Sequence, residues 1–383
     1  MTIQFALPPD SEATSPPERR GLTRDGVRLL VAAPERIEHG HFHDLPEHLS
    51  PGDLVVVNTS ATLPAAVEGV RRPAPSGGAG AVPVHVSTPL DNGDWVVEIR
   101  LADASGPDLS MAVGEELDLP GGVRLRLLAP YPDPDAEVSR LWQASPAPRV
   151  AAEAYLPRHG RPIGYGYLGG RYPLGDYQTV YATEPGSAEM ASAGRPFTAG
   201  LLVRLMARGV TVAPIVLHAG VSSPELHEPP TAERFRVPGS TARLVNAVRD
   251  AGHRVVAVGT TVVRALESAA RTDGAVDEAA GWTDLVVDPG HPARVVTGLV
   301  TGLHAPEASH LLLLEAVAGS ELVASAYEAA VEHRYLWHEF GDSTLFLPAS
   351  QAVERQAQPP RTVRRSLGTR SERVRSAPRE VGW

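Results

Sequence analysis

Hydrophobic and polar positions alternate in two different ways along the chain. Before residue 64 and after residue 150, short aliphatic runs are separated by longer segments in which apolar residues recur at helical spacing. The pattern predicts strands over residues 27–32, 53–58, 210–217, 254–258 and 343–347, and helices over residues 197–208, 241–251, 262–270 and 309–335, the last broken near residue 319. Strands alternating with helices indicate an α/β domain with a mainly parallel sheet and crossover helices.

The middle of the chain follows another pattern. Residues 82–86, 95–100 and 123–128 are short β-like runs between Gly, Pro and Asp turns, without a helical period. This pattern predicts a small all-β insert at residues 65–149, with a flexible loop at residues 73–81. The α/β main domain is then discontinuous, at residues 1–64 and 150–350, and residues 351–383 form a separate tail.

Composition narrows the class of protein. The chain has 383 residues, which is enough for about two domains, and its 43% hydrophobic and 21% charged residues are typical of a globular protein. It has no cysteine, which excludes disulfides, thiolate metal sites and cysteine nucleophiles. The first 20 residues do not resemble a signal peptide, so we expect a cytoplasmic protein that does not enter a membrane. A net charge of −10 argues against an indiscriminate nucleic-acid binder.

The tail has the opposite charge. Residues 355–379 hold eight arginines against one acidic residue, Glu372, and few apolar residues. We therefore predict that the tail is disordered. It either contacts phosphates or remains solvated without a fixed partner.

The sharpest candidate site is a strand that leads through Gly259, Thr260 and Thr261 directly into a helix. Free backbone N–H groups at such a helix start lie at its positive end, where a carboxylate or phosphate can bind. The carboxyl edge of a parallel sheet is also where ligands usually bind. The alternative is a capping threonine with no ligand.

Three further segments carry polar residues beside turns. Residues 177–187 interleave aromatic and polar side chains ahead of Gly-rich turns, which is typical of a site that stacks a planar ring, although an ordinary strand and loop has the same pattern. His218 follows a predicted strand and His304 precedes a predicted helix, and each is either a catalytic or a structural histidine. His39, His41 and His43 share one face of a strand, but no fourth ligand accompanies them, so we expect no metal.

Taken together and in this order, these segments resemble the S-adenosylmethionine:tRNA ribosyltransferase-isomerase family over residues 27–347. The matching positions are residues 44–47, 51–58, 177–182, 185–187, 217–218, 220, 258–261, 264, 266–268, 288–290, 301, 304, 306, 335 and 341–342. The resemblance implies a barrel-like α/β main domain with a small β-barrel insert. It also implies transfer and isomerisation of the ribosyl group of S-adenosylmethionine onto 7-aminomethyl-7-deazaguanine in tRNA.

The same resemblance assigns the site residues. The catalytic positions are His304, His218, Tyr181 and Asp342. The positions that would bind S-adenosylmethionine, which is a co-substrate, are Asn58, Gln178, Thr179, Gly186, Ser187, Gly259, Thr260, Thr261 and Arg264. We expect a monomer whose partners are S-adenosylmethionine and either tRNA or a 7-deazapurine.

Departures from the family pattern leave the acceptor open. Where the family has Asn-Asp-Thr-Arg, this chain has Asn58, Thr59, Ser60 and Ala61, and a family histidine before Phe197 is also missing. Such losses weaken a site that recognises phosphate or a base. The alternatives are the same chemistry on a small acceptor, or a ligand-binding protein without turnover, and we expect the tRNA reaction to be weak or absent.

The tail gives the first testable expectation. Truncation after Val353 removes almost no apolar side chain, so the melting temperature of the shortened chain should equal that of the full chain. Differential scanning calorimetry of both chains measures this. A clear fall in melting temperature would mean that the tail packs on the folded protein.

Overall fold

Strands and helices alternate through most of the protein, and the computed structural model describes residues 5–72, 80–222, 230–306 and 308–349. The strands of this described part are β1 (Arg28–Ala33), β2 (Arg36–His41), β3 (Leu54–Asn58), β4 (Ser60–Thr62), β5 (Ala66–Arg71), β6 (Gly80–Pro89), β7 (Trp95–Ile99), β8 (Glu116–Leu119), β9 (Val123–Tyr131), β10 (Leu141–Ala147), β11 (Glu184–Ser187), β12 (Thr211–Leu217), β13 (Glu233–Val237), β14 (Val255–Val258), β15 (Ala279–Thr283), β16 (Gly298–Gly302) and β17 (Ser343–Phe346). Its α-helices are α1 (Ala152–His159), α2 (Ala199–Ala207), α3 (Gly239–Asp250), α4 (Thr260–Ser268), α5 (His310–Ala318) and α6 (Ser320–Glu332). All of these elements lie in one compact unit, Met1–Ala349.

A nine-stranded sheet forms the centre of this unit, in the order β15-β13-β12-β3-β14-β16-β17-β1-β2. Successive residues of β3 point to opposite faces, so Leu54 and Val56 join one hydrophobic cluster while Val55 and Val57 join another. Helices α3 to α6 contribute to the first cluster and α2 to the second. Helical layers on both faces explain why every residue of β3 and β14 is buried.

The sheet is mixed, so the prediction of a mainly parallel sheet is wrong. Strands β12, β3, β14 and β16 run parallel, but β17 runs antiparallel to β16, and β13, β15 and β2 are also antiparallel to their neighbours. The pair of helices α5 and α6 between β16 and β17 accounts for one reversal. After a single helix the next strand starts at the opposite edge of the sheet and runs parallel to the previous one. After two helices it starts at the edge where the previous strand ended, so it runs antiparallel.

Between β4 and α1 the chain forms a closed six-stranded barrel in the order β10-β7-β6-β5-β8-β9. Strand β9 shows why these residues form a barrel wall: Val123, Leu125 and Leu127 are buried inside it, and Arg124 and Arg126 between them are exposed. A third cluster of buried residues fills the barrel and continues into α1. Strand β4, just before the barrel in sequence, pairs in parallel with β11, which comes after the barrel.

The structure confirms the predicted α/β class and the predicted strands of the insert, while the barrel-like shape of the main domain and the proposed domain limits stay predictions. The helical segment predicted after residue 309 is divided at Gly319 into α5 and α6, as expected. Of the loop predicted over residues 73–81, residues 73–79 lie outside the described residues, and residues 80–81 belong instead to β6, so the predicted loop is too long. The tail from residue 350 onward also lies outside the described residues. Within the described ranges, no helix combines the length and the hydropathy that a membrane span requires.

A glycine holds α1 against the barrel entrance. Gly160 ends α1, and a Cβ there would overlap the carbonyl oxygen of Pro64. Gly160→Ala should therefore lower the free energy of unfolding by about 1–3 kcal/mol, the usual cost of forcing atoms into a packed site. Urea unfolding measures this, with Gly166→Ala as the control, since a Cβ at Gly166 meets open space. Equal stability of the two variants would contradict the contact.

Candidate active site at the carboxyl edge of the main sheet

One edge of the nine-stranded sheet collects most of the predicted site residues. The parallel strands β3, β12, β14 and β16 all end there, at Asn58, Leu217, Val258 and Gly302. Because β17 runs antiparallel to β16, it begins at this same edge, where Ser343 lies opposite Gly302. This edge therefore brings together the residues next to the strand ends, which include His218, Gly259, His304 and Asp342.

Asn58 connects three elements of this edge. Its side chain is buried, and its Nδ2 donates to the Leu217 carbonyl at 2.8 Å and to Thr261 Oγ1 at 3.3 Å. Its Oδ1 accepts from the backbone N–H groups of Leu217, at 3.0 Å, and Ser60, at 3.1 Å. These bonds use the amide fully, so Asn58 positions neighbouring groups around a ligand site.

The turn after β14 has the geometry of an anion site. Gly259 has a φ of +91°, at which the backbone of a residue with a side chain would be strained. Its N–H donates to the Val300 carbonyl at 2.8 Å. Helix α4 begins immediately after it, and no acceptor in the described residues is bonded to the N–H groups of Thr260 or Thr261. Those two groups lie at the positive end of the helix and remain available to a ligand.

His218 is bonded to two serine hydroxyls in sequence. Its Nδ1 lies 2.7 Å from Ser60 Oγ, which lies 2.6 Å from Ser187 Oγ. The ring packs directly on Gly186, so closely that a Cβ at residue 186 would overlap the imidazole. Burial lowers the pKa of His218, Glu184 and Glu153 oppose this shift, and Arg236 adds to it.

A cleft of about 340 Å³ opens beside His218, between the main sheet and the barrel. Its lining includes Gly186, His218 and Arg234 from the main body, Thr88, Asp94 and Trp95 from the barrel, and Glu153 from α1. Asp91 of the barrel bridges its rim, since its carboxylate bonds Trp282 Nε1 at 2.9 Å and pairs with Arg234. The cleft volume lies within the range of small-molecule sites.

The aromatic segment contacts Gly194, whose neighbour Ala193 lies beside Gly259. Tyr181 Oη is 3.5 Å from the Gly194 carbonyl, its ring contacts Phe197, and burial raises its pKa well above the ordinary value, so the phenol is neutral. Thr179 Oγ1 is buried without a hydrogen-bond partner in the described part of the chain. Gln178 has a structural arrangement, because its amide pairs with both the N–H and the carbonyl of Thr62.

His304 is a neutral imidazole in this structure. Its Nε2 lies 3.0 Å from Thr301 Oγ1, its ring stacks on His310 at 4.6 Å, and its backbone N–H donates to Tyr327 Oη at 3.2 Å. Burial lowers the pKa of His304 well below its usual range, and His310 and His338 lower it further. The expectation that His304 titrates near neutral pH is therefore wrong, because sequence spacing shows neither its burial nor the neighbouring histidines.

Two other predicted residues are held by protein groups. Asp342 accepts from the backbone N–H of Arg28 and of Leu336, both at 2.8 Å, and from the Arg28 guanidinium at 3.0 Å. Arg264 pairs with Glu233 and donates to the carbonyls of Leu285 and Thr283. Both residues stabilise the edge of the sheet, and their assigned roles in catalysis and ligand binding stay predictions.

We expected His39, His41 and His43 to share one face of a strand, and the structure shows that they do not. His39 bonds Tyr335 Oη at 2.9 Å, whereas the ligand atoms of His41, His43 and Asp44 lie within 4.8 Å of one another. His43 belongs to a short 3₁₀ helix that follows β2, so the strand alternation stops before it.

Sequence reasoning missed several residues of the edge. In the sequence Ser60 is only a departure from a family motif, whereas in the structure it contacts His218. Arg28 gives no signal because its partner Asp342 is distant in sequence. His310 is close to His304 in sequence, but only the turn before α5 brings the two rings together, and the sequence pattern does not show that turn. A polar residue at a strand end beside another such strand is the signal that could have identified Ser60.

Comparisons with known proteins agree over about nine tenths of the chain. Residues 1–346 match the protein family described as queuosine biosynthesis protein. The S-adenosylmethionine:tRNA ribosyltransferase-isomerase of Moorella thermoacetica is 36% identical over 90% of this chain and 98% of its own length, and that of Thermus thermophilus is 36% identical with the same coverage. A crystal structure of S-adenosylmethionine tRNA ribosyltransferase from Thermotoga maritima is 30% identical, covers 90% of this chain and 99% of its own, and superposes with a TM-score of 0.49.

The Asp342 contacts generate a prediction about stability. Asp342→Asn keeps the size of the side chain but removes a buried charge that accepts from two backbone N–H groups and Arg28. We expect the free energy of unfolding to fall by about 1–3 kcal/mol. Urea unfolding is the measurement, and Asp103→Asn, at an exposed loop position, is the matched control. If Asp342→Asn unfolded like wild type, the carboxylate would not be holding this edge.

Proposed function

Because the chain belongs to the family of queuosine biosynthesis proteins, we propose that it is an S-adenosylmethionine:tRNA ribosyltransferase-isomerase. The reaction transfers and isomerises the ribosyl part of S-adenosylmethionine onto 7-aminomethyl-7-deazaguanine in tRNA, releasing adenine and methionine. The observation that carries the proposal is identity of 36% across 98% of a relative that bears this name. The relatives favour neither a small acceptor nor a protein without turnover.

The reaction needs three kinds of groups. A base removes the C5′ proton beside the sulfonium, an acid or hydrogen-bond donor assists the departing adenine, and further donors stabilise negative charge on ribose oxygens. The carboxyl edge offers each kind within one compact unit, through imidazoles, a phenol and free backbone N–H groups.

The Gly259 turn is our proposed site for the anionic end of S-adenosylmethionine. The free N–H groups of Thr260 and Thr261 suit its carboxylate. The cleft beside His218 suits the nucleoside end, and Asn58 connects the two regions through its bonds to Leu217 and Thr261. Gly186 and Ser187 then act by positioning His218 in this cleft.

His304 and Tyr181 supply complementary proton chemistry in this proposal. His304 is neutral and has one unprotonated ring nitrogen, so we assign it as the base, and its lowered pKa makes it a weaker base than a free imidazole. Tyr181 is a neutral phenol that can donate a hydrogen bond, so we assign it as a donor. Asp342 serves the site indirectly by holding Arg28 and the backbone at the start of β17.

The tRNA partner fits the charge of the chain only in part. The net charge is −10, so the body of the protein is a poor general polyanion surface, and we propose that the Arg-rich tail contacts phosphates. The cytoplasmic location and the monomeric state expected from the sequence belong to the same proposal. The proposal assigns no step to a metal.

Adenine release tests the proposal. The full-length protein should release adenine from S-adenosylmethionine when tRNA carrying 7-aminomethyl-7-deazaguanine is present, and His304→Ala should lower the rate by about 10²- to 10⁴-fold without unfolding, as loss of a general base does. Chromatography of free adenine measures the rate.

His291→Ala is the matched control, because its side chain is 82% exposed. No release with this tRNA would overturn the proposed function. Release that His304→Ala leaves unchanged would overturn only the role of His304. Release with a free 7-deazapurine but not with tRNA would restore the small-acceptor alternative.

A further inference from the structure

A chain of hydroxyl groups lies behind His218, and it ends inside the protein. The backbone N–H of Ala219 donates to Ser187 Oγ at 3.0 Å, Ser187 Oγ lies 2.6 Å from Ser60 Oγ, and Ser60 Oγ lies 2.7 Å from His218 Nδ1. Ser187 is fully buried and Ser60 is 3% exposed, so water does not reach either hydroxyl. Nothing else in the described residues is bonded to these two hydroxyl groups.

Counting protons gives the direction of these bonds. Each serine has one hydroxyl hydrogen, and Ser187 Oγ already accepts from a backbone N–H. If His218 Nδ1 carried a proton and donated it to Ser60, either Ser60 or Ser187 would have a buried hydroxyl hydrogen without an acceptor. If Ser187 donates to Ser60 and Ser60 donates to Nδ1, every hydrogen has an acceptor. Buried donors are almost always satisfied, so the second arrangement is favoured.

We propose that Ser187 and Ser60 hold His218 as the neutral tautomer protonated at Nε2, and that this Nε2–H donates a hydrogen bond to an acceptor atom of the nucleoside bound in the cleft. The inference rests on the proposed function for the identity of the ligand. It rests on the two serines alone for the tautomer. Ser60 and Ser187 are positioning residues, since they act only through the imidazole.

The location of the ring supports this role. Gly186 and Ser60 contact the Nδ1 side of the imidazole, and the residue lines the cleft of about 340 Å³. Nε2 is the ring nitrogen for which the described residues supply no partner, so it remains for a ligand.

The electrostatic surroundings keep the imidazole neutral. Burial lowers the pKa of His218, Glu184 and Glu153 raise it, and Arg236 lowers it. Nδ1 accepts from Ser60 and Nε2 is protonated, so the ring has no free lone pair toward the cleft and His218 acts there only as a hydrogen-bond donor. The base must then be another group, which agrees with the assignment of that step to His304.

Nitrogen NMR of the full-length protein tests the tautomer directly. With ¹⁵N-labelled histidine, long-range proton–nitrogen correlation distinguishes a protonated ring nitrogen from an unprotonated one, and His218→Gln identifies the signal. We expect His218 to show unprotonated Nδ1 and protonated Nε2 at pH 7. A protonated Nδ1, or rapid averaging between the two forms, would overturn the proposal even if the enzyme released adenine normally.

Variants of Ser60 test the consequence for the reaction. Ser60→Ala should shift His218 toward a mixture of tautomers and lower adenine release by about 10- to 100-fold, the usual effect of losing a group that orients a functional histidine. Ser60→Thr keeps the hydroxyl and should restore both the tautomer and most of the rate. Ser110→Ala is the control, because this serine lies on the barrel and bonds only Asp108 and Arg71 in the described chain.

The two readouts separate the possible failures. A wild-type tautomer in Ser60→Ala would overturn the role of the hydroxyls, whatever the rate. A shifted tautomer with an unchanged rate would overturn the hydrogen bond to the ligand. Failure of wild type to release adenine at all would count against the proposed function and leave the tautomer result standing.

Discussion

The Asn58 amide is the interaction on which the arrangement of the site depends. Strand β3 ends at Asn58, which is bonded to both backbone groups of Leu217 and to the Thr261 hydroxyl, so three elements are held at one depth of the sheet. His218 directly follows Leu217, and its position is therefore determined by the same bonds. Besides these bonds, Thr59 joins the ends of β3 and β12, because its N–H and its hydroxyl both donate to the Ile215 carbonyl. A buried amide with all its bonds made is also rigid, which is what a site for oriented reaction requires.

How far the sequence predicts this structure depends on the range of the interactions involved. Strand β9 is readable from its alternation, and β3 from its apolar run, because each pattern is local. The reversal of β17 was not predicted, since it depends on how the pair of helices α5 and α6 packs. The same limit applies to the site. Gly259 to Thr261 carry a local strand-to-helix signal, whereas the bond from Ser60 to His218 joins residues 158 positions apart.

Burial gives three histidines near this edge lower pKa values than a histidine has in water. The pKa of His304 lies well below its usual range, that of His310 is lowered to about 4, and that of His218 is also lowered, each with burial as the main cause. All three imidazoles are neutral at pH 7, so they add no positive charge to this edge. They would therefore not repel a positively charged sulfonium, as a row of imidazolium ions would.

The attachment of the barrel has a mechanical consequence. The chain leaves for the barrel through β4, which begins with Ser60, and the returning chain pairs with it as β11, which ends with Ser187. The two serines behind His218 therefore lie on the strand pair that borders the inserted barrel. A displacement of β4 against β11 would change the distance between the two hydroxyl groups, so the support of His218 depends on how firmly these two strands are held together.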